Sequence, residues 1–259
     1  MDDLSFRIGR GESVALVGES GSGKTLTGLA LLGLLPAAAR VIVKEIGWQD
    51  KQDGLRVNLA ALPERERRKY RGGRIGMIFQ DSRQALNPVR TCGSQLTEML
   101  ELHGKGNDKK SRRTLALEWL ERARLSEPER IYRSYPHQLS GGQCQRVMIA
   151  QALCPEPELL IADEPTTALD VNIRAGILEL LDELRRESGT GLLYISHDLD
   201  TVHRLAERCL LLYRGRMMES GLTSELFSQP ETDYARALLV ARPRLPDARK
   251  RLPVWNDPA

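Results

Sequence analysis

The chain has 259 residues, 41% hydrophobic and 28% charged, with 38 basic side chains against 35 acidic ones and a net charge of +3. This is ordinary for a water-soluble protein of one large domain, or a domain with a smaller module, and so balanced a charge marks no nucleic-acid partner. The Met1-Asp2-Asp3 start is acidic and no apolar run follows, unlike a secretory leader, and Leu29 to Val43 is interrupted by Gly33, Pro36 and Arg40, so no stretch is expected to span a bilayer.

Leu4 to Ile8 alternates apolar and polar residues and predicts a strand, with a Gly9-Arg10-Gly11-Glu12 turn leading into the apolar run Ser13 to Val17. Gly18-Glu19-Ser20-Gly21-Ser22-Gly23-Lys24-Thr25 then fits G-x-x-x-x-G-K-[S/T], a phosphate-binding loop. Its glycines let the backbone turn tightly, so that amide N–H groups converge on one anion. Lys24 brings positive charge to the β- and γ-phosphates, and the Thr25 hydroxyl suits a Mg²⁺ ligand. Eight-residue patterns arise by chance. Here a buried strand precedes the loop and an apolar helix, Thr25 to Leu35, follows it, aiming the helix's N-terminal partial charge at the phosphates.

Val41-Ile42-Val43 and Leu55-Arg56-Val57 predict short β pieces, Pro63 opens a charged helical segment Glu64 to Tyr70, and Arg74 to Phe79 predicts another strand. From about Ser94 to Arg133 leucines recur amid dense charge. This predicts two helices separated by the polar gap His103 to Ser111, a helical subdomain between two β-rich parts. Helix and strand alternate again after Ser140: helix Gln143–Leu153, strand Leu159–Ala162, helix Val171–Glu187, strand Gly191–Ser196 and strand Cys209–Tyr213. Such alternation implies a mostly parallel sheet covered on both faces. The segment from Pro243, with four prolines and many charges, reads as a surface or partly disordered tail. Cys92, Cys144, Cys154 and Cys209 form no C-x-x-C pair and no cluster with histidine, so free thiols of a reducing compartment are expected.

Two further stretches carry chemistry. Leu159 to Ala162 ends in Asp163-Glu164, delivering two carboxylates at the C-terminal end of a buried strand, where ligands of α/β sheets bind. Asp163 suits Mg²⁺, and Glu164 suits a general base that polarises the attacking water. Acidic residues also end strands as solvated turn formers; a phosphate loop in the same chain favours the chemical role. Leu139-Ser140-Gly141-Gly142-Gln143 places a hydrogen-bonding serine and two glycines before a helix, a second helix N-terminus suited to an anion.

Together the Gly18–Thr25 loop, Gln80, Leu139–Gln143, Asp163-Glu164, Ala168-Leu169-Asp170 and His197, in this order and spacing, resemble the ABC-type ATPases over about residues 4 to 240. The resemblance implies an α/β phosphate-loop NTPase fold with a mostly parallel sheet, an antiparallel β subdomain and an inserted helical subdomain at about residues 85–140. The ATPase domain would occupy residues 1–242 and the tail 243–259. It implies two such domains pairing head to tail, identical or not, with each ATP between one chain's loop and the partner's Ser140, Gly141, Gly142 and Gln143. Gln80 is then expected to sense Mg²⁺ and the γ-phosphate, His197 to hydrogen-bond the γ-phosphate and position the water and Glu164, and Asp170 to communicate across the dimer.

Met77-Ile78-Phe79-Gln80-Asp81, Ala85-Leu86-Asn87-Pro88-Val89, Tyr135–Ser140, Ala162–Asp170 and the ending Leu226-Phe227-Ser228-Gln229-Pro230 with Tyr234 resemble the peptide and nickel importer branch. This implies integral permease subunits as partners, an extracytoplasmic solute-binding protein indirectly, and a peripheral place on the cytoplasmic face of the inner membrane. Family members usually carry a further N-terminal strand and an aromatic residue stacked on adenine; Phe6 is the only early aromatic here. The competing classes are a soluble ABC ATPase acting on ribosomes or DNA, and a phosphate-loop kinase or GTPase. The first is disfavoured by a single nucleotide domain without a coiled-coil insertion or basic tract. The second leaves Leu139–Gln143 without a purpose.

Overall fold

The structure is a computed structural model that describes residues 3–39, 42–50, 54–167 and 169–241. In chain order the first half runs β1 (Ser13–Gly18), α1 (Lys24–Leu32), β2 (Gly47–Gln49), β3 (Arg56–Asn58), α2 (Glu64–Arg67), β4 (Ile75–Ile78), α3 (Ser82–Ala85), α4 (Cys92–Leu102), α5 (Lys109–Arg122) and α6 (Pro128–Arg133). There follow α7 (Gly141–Leu153), β5 (Leu159–Asp163), α8 (Val171–Ser188), β6 (Gly191–Ser196), α9 (Leu199–Leu205), β7 (Arg208–Tyr213), β8 (Arg216–Leu222), α10 (Thr223–Ser228) and α11 (Asp233–Val240).

The main sheet has the order β4-β5-β6-β1-β7-β8. All its pairings are parallel except β7 with β8, and β2 with β3 forms a separate antiparallel pair. Every residue of β1 and of β6 is buried, which explains why their sequences read as unbroken apolar runs rather than alternating ones. Successive side chains still leave opposite faces. Val14 and Leu16 of β1 join Leu32, Ile161, Leu193, Ile195 and Leu210 in one cluster. Ala15 and Val17 join Leu160, Leu192, Tyr194 and residues of α4, α5, α7 and α8 in the other. Truncating a residue such as Leu16, wholly buried, is expected to cost about 2–5 kcal/mol.

Four sequence expectations need correction. Ser94 to Arg133 holds not two helices but three, α4, α5 and α6, because Glu127 at positive φ and Pro128 start a new helix after α5. Leu4 to Ile8 forms no strand: Leu4, Phe6 and Ile8 are half-buried against the core while the intervening residues face solvent, so the alternation records packing without ladder pairing. Of Val41-Ile42-Val43, Val41 lies outside the described residues, and Ile42 and Val43 are exposed and outside any strand. The partner of Arg56–Asn58 is Gly47–Gln49. The segment Glu64 to Tyr70 is helical only to Arg67, and turns carry the chain on towards β4. The 243–259 tail lies outside the described residues. Arg74, just before β4, fastens the small antiparallel pair to the main sheet: it pairs with Asp50 and Glu158 and lies over the Trp48 and Tyr70 rings, 5.7 and 5.5 Å from their centroids. All four cysteines are buried and free, and burial pushes the thiols of Cys92, Cys154 and Cys209 up to about 12.

Candidate functional site

The phosphate loop joins β1, an interior strand of the sheet, to α1. Gly23 holds φ 101°, in the left-handed region that an L side chain rarely adopts, and so turns the chain into the first helical residue, Lys24. Gly18 is fixed by space instead: a Cβ there would lie 2.1 Å from the Leu212 carbonyl oxygen. Lys24 is 5% exposed, and its ammonium donates to the carbonyls of Gly18 and Glu19, both at 2.8 Å, so the loop closes around its own cation. Burial lowers the Lys24 pKa, against the opposing charges of Glu164, Asp163 and Glu19.

The carboxylates arrive from β5. Thr25 Oγ1 donates to Asp163 Oδ1 at 3.2 Å, joining the loop to the strand end. Asp163 is 3% exposed, and burial raises its pKa despite that hydrogen bond and the nearby Lys24. Glu164, the next residue, adopts φ 44°, a strained conformation for a non-glycine residue at a cost of about 1–3 kcal/mol. Its own bonds hold it there. The Glu164 N–H donates to Ile195 O at 2.9 Å, Gln80 Nε2 and Thr167 Oγ1 donate to Oε2 at 3.1 and 2.9 Å, and His197 Nδ1 lies 3.0 Å from Oε1. Burial pushes the carboxyl up, but the His197 and Thr167 hydrogen bonds outweigh it, so Glu164 sits below the usual glutamate value and stays ionised. The carboxylate is thus in its proton-accepting form, and its three partners fix where a water would have to meet it, so orientation rather than raised basicity is what the site supplies.

Gln80, Asp163, Glu164 and His197 are thus brought together with the Gly18–Thr25 loop at the C-terminal edge of the sheet. Thr167 is the member that sequence reasoning missed; its signal is the three-residue spacing from Glu164 across a turn, where the Thr167 N–H also donates to Glu164 O at 3.2 Å. The Ser140–Gln143 stretch lies on α7. Here Gly141 and Gly142 form the first turn of the helix rather than preceding it, with Ser140 as the cap. Ser140 and Gln143 bond reciprocally, Gln143 N–H to Ser140 Oγ at 3.3 Å and Ser140 N–H to Gln143 Oε1 at 3.0 Å. Ser140 itself is exposed. Asp170 is also exposed, at the cap of α8, with no side-chain bond to that helix's first turn.

A phosphate loop closed on a buried lysine, with an ionised and oriented glutamate at the end of β5, defines a phosphate-loop nucleoside triphosphatase. Within that class the chain belongs to the ABC transporter family, whose profile matches residues 1–167. It is 43% identical, over 96% of its length, to a putative peptide import ATP-binding protein of Brucella melitensis, of which it covers 73%. To the oligopeptide transport ATP-binding protein AppD of Bacillus subtilis it is 44% identical over 94% of its length, covering 72% of that protein. Among solved structures it is similar to a dimeric ATP-binding cassette in a post-hydrolysis state bound to ADP and Pi, with TM-score 0.68 and 32% identity, over 84% of this chain and 88% of the other.

Proposed function

We propose that this chain is the ATP-binding and hydrolysing subunit of an ABC importer, and that closure of an ATP-bound dimer drives peptides through a membrane permease. The observation that carries the reading is the convergence of Lys24, Asp163 and the three-partnered Glu164 at one sheet edge, while Ser140 sits exposed at a separate helix cap. In this reading the loop amides and Lys24 bind the phosphates. Glu164 takes the proton of the attacking water, and His197, Gln80 and Thr167 hold its carboxylate in place. Ser140, Gly141, Gly142 and Gln143 complete the site of the opposite subunit, and Asp170 sits where the two subunits meet.

The donor set suits magnesium: Thr25 Oγ1 and Asp163 Oδ1 are hard oxygens 3.2 Å apart, and a buried carboxylate that accepts from a neutral hydroxyl is a place that a cation stabilises. Thr25 and Asp163, with Gln80, would hold the ion, which when bound neutralises phosphate charge. Peptide as the cargo class rests on relatives named for peptide, oligopeptide and dipeptide transport. Among the described residues no helix is long and apolar enough to cross a membrane. Attachment to the cytoplasmic face of the inner membrane would therefore run through the permease. The test is isolation from membranes: the chain should co-purify with a permease, with ATPase activity stimulated by peptide and its binding protein. Recovery with ribosomes or DNA instead overturns the reading, and stimulation by nickel alone overturns the cargo.

A further inference from the structure

Behind the phosphate loop, on the side away from Glu164, lies a polar contact that the hydrolytic chemistry does not use. Tyr234, in the first turn of α11, is 1% exposed, and its hydroxyl donates to Leu212 O at 3.2 Å. The Glu19 backbone lies near enough to the same hydroxyl to favour its ionised form, but burial outweighs it and pushes the phenol up to about 12, so it keeps its donor proton. Leu212 and Glu19 are not arbitrary neighbours. Leu212 pairs with Gly18 across β7 and β1, and its carbonyl oxygen is the atom that excludes a side chain at Gly18. Glu19 supplies one of the two carbonyls that hold the Lys24 ammonium. The β7–β8 register also shifts between Leu211 and Leu212, where a bulge weakens the ladder and the tyrosine supplies a polar partner from outside it.

The helix that carries Tyr234 is itself anchored. Glu219 of β8 accepts from the Glu231 N–H, the Thr232 N–H and the Thr232 hydroxyl at 3.1, 2.9 and 2.7 Å. Thr232 Oγ1 in turn caps α11 by accepting from Ala235 N–H at 3.2 Å. The Tyr234 ring rests on Tyr213 at a centroid distance of 4.9 Å. Packing alone would be served as well by phenylalanine. The hydroxyl is what reaches the Leu212 carbonyl beside the loop.

We propose that Tyr234 is a positioning residue of the nucleotide site: through Leu212 and Glu19 it fixes the first turn of the phosphate loop, and the Glu219–Thr232 anchor makes nucleotide affinity depend on the seating of the C-terminal helix. The inference rests on the ATP-binding reading. Y234F keeps the ring and removes the hydroxyl, so it should weaken ATP and ADP binding and raise KM for ATP together, by about 2- to 10-fold, the scale of one or two lost hydrogen bonds. The kcat at saturating ATP should fall by less than about twofold, because the contact acts on ground state and transition state alike. T232V should shift affinity in the same direction, and the double variant should lose less than the two single effects combined, since both act through one helix. Wild-type affinity in Y234F with a lowered melting temperature makes the residue merely structural and overturns the proposal, as does a fall in kcat at unchanged KM. A wild-type protein that binds neither ATP nor ADP refutes the ATP reading itself, a separate outcome.

Discussion

Replacing Glu164 with glutamine keeps the length and shape of the side chain, turns one oxygen into an amide nitrogen and removes the charge that accepts a proton. The geometry allows the exchange with little disturbance. A glutamine oxygen at the Oε2 position still accepts from Gln80 and Thr167, and an amide donor at the Oε1 position can serve His197 Nδ1 once the ring carries its proton on Nε2. Folding stability should therefore stay within about 1 kcal/mol of wild type, since weaker neutral hydrogen bonds are offset by relief of the carboxylate's burial. Hydrolysis should not survive so well. Loss of a general base slows turnover by about 10²–10⁴-fold, or about 3–5 kcal/mol of barrier at 1.36 kcal/mol per factor of ten. Phosphate release at saturating Mg-ATP measures the rate, and equilibrium binding of a fluorescent ATP analogue establishes that affinity is kept. Turnover within a few-fold of wild type at unchanged ATP affinity removes Glu164 from the role and leaves water activation to another group.

Two further variants test the metal position and the shared site. D163N should stabilise the nucleotide-free protein in EDTA at neutral pH by on the order of 1 kcal/mol, roughly 2–4 °C at this chain length, while abolishing Mg²⁺-dependent hydrolysis. Burial holds the folded pKa of Asp163 above its unfolded value, so its contribution to stability is fully present below the unfolded pKa and is lost as pH rises through the folded one. The advantage of asparagine should therefore shrink as pH falls into the acid range; an advantage that grows there refutes the assignment. Replacing the exposed Ser140 by arginine, in a chain with an intact phosphate loop, should suppress ATPase activity, and mixing with a chain disabled at Lys24 should restore one competent site per heterodimer. Wild-type activity of the Ser140 variant alone overturns the site shared between subunits.

The parts that the sequence announced are those whose signal is local. The strands β1, β5 and β6 are apolar runs because they are buried on both faces. The helix α4 is amphipathic, with Leu96 and Leu100 on its buried side, and the phosphate loop is a contiguous motif. β8 gave no such signal: it is an edge strand of mixed Arg, Met, Glu, Ser and Gly with no fully buried residue, so neither period nor apolarity marks it. Its one local mark is the two-residue turn Arg214-Gly215, both with positive φ, the conformation of a tight hairpin. Likewise α9 follows an aspartate cap, Asp198, whose carboxylate accepts from the N–H groups of Asp200 and Thr201, with Leu199, Val202 and Leu205 on its buried face. That pattern was present in the sequence but sits in the shadow of His197.

The candidate site was legible as pieces and not as an arrangement. Gln80 and His197 lie 84 and 33 residues from Glu164, and no spacing rule puts them on one carboxylate. What does so is the strand order β4-β5-β6. Each of the three residues follows the C-terminal end of one of these strands, all three strands run the same way, and the ladders align Ile78 with Ala162 and Asp163 with Ile195. With that register the three strand ends emerge side by side, with Gln80 and His197 each within a hydrogen bond of Glu164 between them. A different order, such as β1 between β5 and β6, would keep every motif and every strand intact. It would also move His197 about two strand spacings, roughly 10 Å, from Glu164. The chemistry depends on adjacency, and adjacency is a property of the whole sheet, decided by which apolar faces pack on α1, α7 and α8 rather than by any residue of the site.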